Sequence, residues 1–227
     1  MIKQLPDIET VRDRSKALAM LDAIISPEWE YRYYSFDSRW SPTEEMASMR
    51  DGAGNDYAIA FSAAGAYAQA SDHESPMSAY RVTPPAPWPG LFESVPAVFR
   101  SYVEEPAFAD HNGLPRATAC LWREHIDSEW KCGNVDVPNE DMEDADGAEW
   151  LFGLLLEGTA EAYQGFIEEV YELDLDIEAV RHVLALQPLT QSVISSLNPD
   201  VTLSDIAEDV EQIGYPALPG SKGTPAE

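Results

Sequence analysis

The sequence predicts an α+β fold: an antiparallel sheet of about five strands packed with helices, followed by a helical C-terminal third. Three observations carry that expectation. Near the start, Ile8, Val11, Leu18, Leu21 and Ile25 fall on one side at helical spacing. The middle holds short aromatic or alternating runs separated by Gly, Pro and Asp. Beyond residue 147 helical patterning takes over. One helix, then strands, then helices suits helices laid on an antiparallel sheet.

Taken in order, residues 7–25 read as a helix ended by Pro27. Residues 29–36 (WEYRYYSF) read as an aromatic strand. Ser41-Pro42-Thr43-Glu44 reads as a helix start, with Ser as N-cap, Pro in the first position and Glu three residues on. That short helix ends near Gly52. Residues 57–70 read as a hairpin with a three-residue loop, Ala63-Ala64-Gly65. Ser62 then pairs with Ala66, Phe61 faces Tyr67, and Ile59 faces Gln69. The other face is all small: Ala58, Ala60, Ser62, Ala66, Ala68 and Ala70.

Residues 71–90 form a long loop ending in TPPAPWPG, anchored by Trp88. Residues 91–103 read as helical, with a kink at Pro96. Residues 117–124 and 130–137 make a second hairpin. A loop of His125-Ile126-Asp127 sets Trp122 opposite Trp130 and Cys120 opposite Cys132. An acidic loop, 138–147, leads to helices over 148–156, 159–171, 177–186, 189–197 and 203–213. The apolar run 150–156 is expected to be the central helix. Residues 1–216 are expected to form a single domain and 217–227 a disordered tail.

The charge excludes some functions. There are 41 acidic and 14 basic residues, a net −27. Such a chain is not expected to bind nucleic acid, where cations replace counterions along the phosphates. An anionic membrane surface is disfavoured for the same reason. The charge is also uneven. Residues 1–139 hold 21 acids and 12 bases, whereas 140–227 hold 20 acids and 2 bases. From Cys132 to Val180 there is no Lys or Arg. Solubility alone accounts for an acidic surface; so does attraction to a basic partner. Two cysteines do not make a disulfide scaffold. The opening MIKQLPDIETVRD has no apolar run, so the expected compartment is the cytoplasm.

Two polar clusters are candidate sites. The first is Glu140, Asp141, Glu143, Asp144 and Asp146, a surface for a basic partner. A calcium loop aligned on Gly147 fails, because Met142 and Gly153 stand where an acid and a Glu are needed. The second is Asp72-His73-Glu74-Ser75, where His73 would be a general base and Ser75 a nucleophile. The competing reading makes His73 a turn residue. His182 follows Glu178 by four residues, the spacing of a surface pair. Cys120 sits mid-strand as a buried thiol would. No metal or cofactor motif stands in the sequence, and none is expected to bind. Trp29, Tyr31, Tyr33, Tyr34, Phe36 and Trp40 form either core or a binding face, with Arg32 and Arg39 placed to pair with the acidic C-terminal region.

YRYYSFDSRW, SPTEEMASMRDG, DHESPM, PWPG and DIAEDVEQIGYP resemble a family of uncharacterised bacterial cytosolic proteins, over most of residues 20–216. Similar small acidic proteins occur as immunity proteins beside secreted toxins. The resemblance implies no residue roles. The expected function is an acidic cytosolic binding protein, an immunity protein against a basic toxin being the concrete form. The alternatives are a small enzyme with a polar site near Asp72, His73 and Glu74, and a structural or regulatory module.

Overall fold

The computed structural model describes residues 5–138 and 142–217. The fold is α+β, with the helices gathered mostly in the C-terminal part. The expected tail, 217–227, lies outside the described residues apart from Ala217.

Helix α1 (Ile8–Ile25) begins where Asp7 accepts a hydrogen bond from the Thr10 N–H at 2.9 Å. That bond satisfies one of the orphan donors of the first turn. Six strands follow: β1 (Tyr34–Ser41), β2 (Glu44–Arg50), β3 (Asp56–Ser62), β4 (Gly65–Ser71), β5 (Ala119–Glu124) and β6 (Lys131–Cys132). They pair antiparallel in sequence order as one open sheet.

The segment between β4 and β5 holds helix α2 (Arg100–Val103) and several 3-10 turns. The expected helix over 91–103 thus shrinks to residues 97–103. After β6 come α3 (Ala148–Leu151), α4 (Gly153–Glu157), α5 (Ala160–Tyr171), α6 (Ile177–Leu184), α7 (Gln191–Leu197) and α8 (Ala207–Ile213).

Four local expectations fail, each for a physical reason. Ser41-Pro42-Thr43-Glu44 starts no helix; it is the turn of the β1–β2 hairpin, with Ser41 paired to Glu44. The Ser41 hydroxyl donates to the Glu44 carboxylate at 3.1 Å. A Ser-x-x-Glu pair serves a tight turn as readily as a capping box. What decides is the next stretch, where Ala47 and Met49 are buried at period two.

The aromatic strand begins later than expected, because Trp29–Tyr31 form a 3-10 turn. The β3–β4 hairpin has a two-residue loop, Ala63-Ala64, so Ser62 pairs with Gly65. Tyr67 therefore faces Ala60, and Phe61 faces Ala66. The uniformly small face does not exist. Gly65 is required by β5 instead: a Cβ there would lie 2.1 Å from the Arg123 carbonyl oxygen, at φ +144°. In the last hairpin Leu121 faces Cys132 and Trp122 faces Lys131, one residue out of the expected register. Trp122 and Trp130 consequently enter different cores.

Each face of the sheet carries a core. One contains Tyr34, Phe36, Ala47, Ile59 and Phe61 beneath α1, with residues from Leu5 to Tyr215 contributing. The other contains Tyr67, Cys120 and Trp122 beneath the 71–117 segment, including Leu91, Phe99, Tyr102 and Phe108. The central helix is α1, not the 150–156 run. Met20, Leu21, Ala23 and Ile24 of α1 are fully buried, whereas Trp150 is 49% exposed. Helix α8 packs against the edge strand β1. There Arg32 pairs with Asp209 and Arg39 with Glu211, as the charge pattern predicts.

Candidate functional site

Of the five acids expected to meet a partner, Glu140 and Asp141 lie outside the described residues. Glu143 is exposed. Asp144 is half-buried, and its carboxylate accepts from the N–H groups of Glu149 and Trp150 at 2.8 and 3.0 Å. It caps the next helix, where a negative charge is favoured. Asp146 is buried at 4% exposure. Its carboxylate accepts from the Ala148 N–H, and its carbonyl accepts from the Thr118 hydroxyl. Burial raises its pKa above the ordinary aspartate value. Asp146 thus braces this turn against Thr118, the residue before β5.

The exposed negative charge stands further along. Helix α5 is capped by Thr159, whose hydroxyl accepts from the Ala162 N–H. Its buried side is Ala160, Tyr163 and Ile167. The opposite side presents Glu161, Glu168 and Glu169, and the connection to α6 presents Glu172, Asp174 and Asp176. Arg181 pairs with Glu161 and Glu178. Among the described residues no ion pair engages Glu168, Glu169, Glu172, Asp174 or Asp176. His182 does not pair with Glu178; its Nε2 lies 3.0 Å from the Pro188 carbonyl oxygen.

The Asp72-His73-Glu74-Ser75 stretch leaves β4 as a turn, with Ser75 N–H bonded to the Asp72 carbonyl. The His73 Nδ1 lies 2.8 Å from the Asn55 side-chain oxygen. The Ser75 hydroxyl is buried and donates to the Ala145 carbonyl at 2.7 Å. Asp72 accepts from the Trp150 indole N–H at 3.2 Å. Asp72 and Ser75 thus hold the turn against the neighbouring loop and helix, whereas the Glu74 carboxylate is exposed, 4.0 Å from the His73 Nε2. A serine that spends its proton on a buried carbonyl is not poised as a nucleophile.

The aromatic cluster divides. Tyr34 and Phe36 are core; Trp40 stacks on Phe108 at 5.8 Å. Trp29 and Tyr31 point outward, at 58% and 62% exposure. Below them lies Asp22, a fully buried carboxylate that sequence periodicity did not single out. It accepts from the N–H groups of Tyr33 and Tyr34 at 2.8 and 2.9 Å and from the Tyr163 hydroxyl at 3.0 Å. Burial pushes its pKa up to about 6, against the pull of those hydrogen bonds. Asp22 ties α1 to the start of β1 and to α5. An acid on the apolar side of an amphipathic helix was the only signal that would have found it.

Cys120 is buried with its thiol pushed up to about 12 by desolvation. Cys120 and Cys132 are unbridged. Among the described residues, no group of three or more His, Cys, Asp or Glu is arranged to hold a metal ion. None of the described helices is long and apolar enough to cross a membrane. Compared with known proteins, the chain matches no family model, no curated protein and no solved structure.

Proposed function

We propose that the chain is an acidic binding protein whose partner is a basic protein. The observation that carries this reading is the run of exposed carboxylates on α5 and its following loop, Glu168, Glu169, Glu172, Asp174 and Asp176, none in an ion pair among the described residues. It lies inside a stretch, 132–180, without a single Lys or Arg. Concentrated like charge costs self-repulsion and returns faster encounter with a cationic partner. The association of similar small acidic proteins with immunity to secreted toxins makes a basic, nucleic-acid-cleaving toxin the first partner to test. The binding reading is preferred to an enzyme acting near Asp72, His73 and Glu74 because the Ser75 hydroxyl of that turn is turned inward onto the Ala145 carbonyl.

The test is co-purification in low salt of the wild type and of a variant with Glu143, Glu168, Glu169 and Glu172 changed to Lys. The expected result is one strongly basic protein, identified by mass, that is lost with the variant and in 0.5 M salt. Screening over about 10 Å at 0.1 M sets that salt dependence. Recovery of no basic protein, or of one indifferent to both changes, overturns the proposal.

A further inference from the structure

We infer that the Trp29–Tyr31 turn is the central contact for that basic partner, with the acids around it serving as the rim. The inference rests on the binding reading above and adds a place to it.

The turn is built to hold two aromatics in solvent. It lies between α1 and β1, and its backbone is bonded on several sides. The Arg32 guanidinium donates to the carbonyls of Ser26 and Pro27 at 2.9 and 2.7 Å, while its other edge pairs with Asp209. Arg50 donates to the Trp29 carbonyl at 2.9 Å, and its guanidinium lies 3.9 Å from the Trp29 ring centroid. The Tyr171 hydroxyl donates to the Tyr31 carbonyl at 3.3 Å. Tyr171 itself sits edge-on to Tyr33 at 5.9 Å. Arg50 of β2 and Tyr171 of α5 thus hold the two ends of the turn, while Arg32 ties down the chain just before it, and Trp29 and Tyr31 stay more than half exposed.

A single exposed aromatic is unremarkable. Here Trp29, Tyr31 and Arg50 stand together, and Trp, Tyr and Arg are the residues that dominate binding energy at interface centres. Their backbone is already ordered, so a partner meets a surface with little entropy left to lose. Beside Tyr31 a cleft of about 350 Å³ is lined by Glu30, Tyr31, Arg32, Tyr33, Arg50 and Asp51.

The charge selects the occupant. Glu28 and Glu30 are exposed in the turn segment, and Glu172 and Asp174 are exposed just beyond Tyr171. Arg32 is neutralised by Asp209, which leaves Arg50 as the cation of the patch. An aromatic centre holding one cation, Arg50, inside an acidic rim complements a basic protein and repels a second copy of this chain, itself at −27.

The test places a photo-crosslinking amino acid at Trp29, at Tyr31, at Glu143 or at exposed Ile126, in cells that make the chain. Linked proteins are identified by mass. Binding kinetics of the linked protein are then measured against wild type, Trp29→Ala and Tyr31→Ala, each first checked for an intact fold. The expected result is a basic protein linked from 29 and 31 but not from 126. Each alanine variant should then weaken affinity about 30-fold, mostly through faster dissociation. A basic protein linked only from Glu143 or Ile126 overturns this placement while leaving the binding reading intact. The same holds for one whose affinity ignores both alanine variants. No basic protein from any position overturns both. Links between copies of this chain replace the basic partner with self-association.

Discussion

The two faces of the sheet are covered in opposite ways. On one face helices do the covering: α1 lies on β1, and α4, α6, α7 and α8 gather around α1. On the other face, irregular chain between β4 and β5 does it, with 3-10 turns and the four-residue α2. A helix satisfies its own backbone, so its side chains are free to be apolar. Irregular chain cannot, and its carbonyls must be reached by side chains. Gln69 donates to the Phe108 carbonyl at 2.7 Å from within the sheet. Arg100 reaches the carbonyls of Phe92, Glu93 and Val95. Trp88 donates to Asp136, and Ser75 to Ala145. On the helix-covered face such bonds close helix ends, as where Arg14 reaches the Leu155 and Leu156 carbonyls and Asn198 reaches Ile24, so the difference teaches that polar side chains serve helix ends on one face and whole stretches of irregular backbone on the other.

The largest effect should come from the sheet both faces share. Gly65→Val places a branched side chain against the Arg123 backbone and should cost more than about 4 kcal/mol. Thermal melting reads this directly. A wild-type melting temperature would mean that β4 and β5 are not as close as described.

Gln69→Leu tests the loop-covered face. It orphans the Phe108 carbonyl and removes the acceptor of the Tyr67 hydroxyl, both buried. A cost of about 3 kcal/mol is expected from denaturant unfolding, at 1–3 kcal/mol per unsatisfied group. A cost below about 1 kcal/mol would erase the contrast between the faces.

Asp22 is a fully buried acid on the helix-covered face, and pH isolates its contribution. Its folded pKa, about 6, lies above the ordinary aspartate value of 3.8. A raised pKa means that the folded state holds the proton more tightly. The contribution of Asp22 to stability is therefore full below pH 4 and is lost as pH rises through 6. The loss is up to about 3 kcal/mol, at 1.4 kcal/mol per pKa unit. Asp22→Asn should remove this dependence, so that the variant gains on the wild type between pH 4 and 7. Parallel stability curves across that range would refute the buried charge.

Thr159→Ala should have the smallest effect. It deletes the α5 cap, worth about 1 kcal/mol, while the helix keeps its internal bonds. If it costs as much as Gln69→Leu, the two faces rely on side-chain hydrogen bonds equally.

Much of the fold could be read from the sequence wherever the cause was local. Helix α1 had a cap, a period and a stop within its own residues, and α5 likewise began at Thr159. Register could not be read, because its cause is distant. Gly65 looked like a loop residue, yet what demands glycine is Arg123, far along the chain. Ser41 and Glu44 have the spacing of a capping box, yet in the hairpin they bond side chain to side chain. The acidic loop misled for a similar reason. Asp146 is buried by Thr118 and its neighbours, and nothing in a run of acids marks which one turns inward. The Trp29–Tyr31 aromatics were visible as a cluster, but their division into core and surface depends on a turn where a strand was expected.

The place of α1 has a consequence in time. It is made first among these elements, yet α6, α7 and α8, which complete its cover, are made last. At roughly 5–20 residues per second, the ribosome needs roughly 10–40 s to travel from the end of α1 to the end of α8. Through that interval Leu18, Leu21 and Ile24 have strands to rest on but no finished roof. The nascent chain must therefore carry a greasy helix, partly uncovered, until α8 has been made.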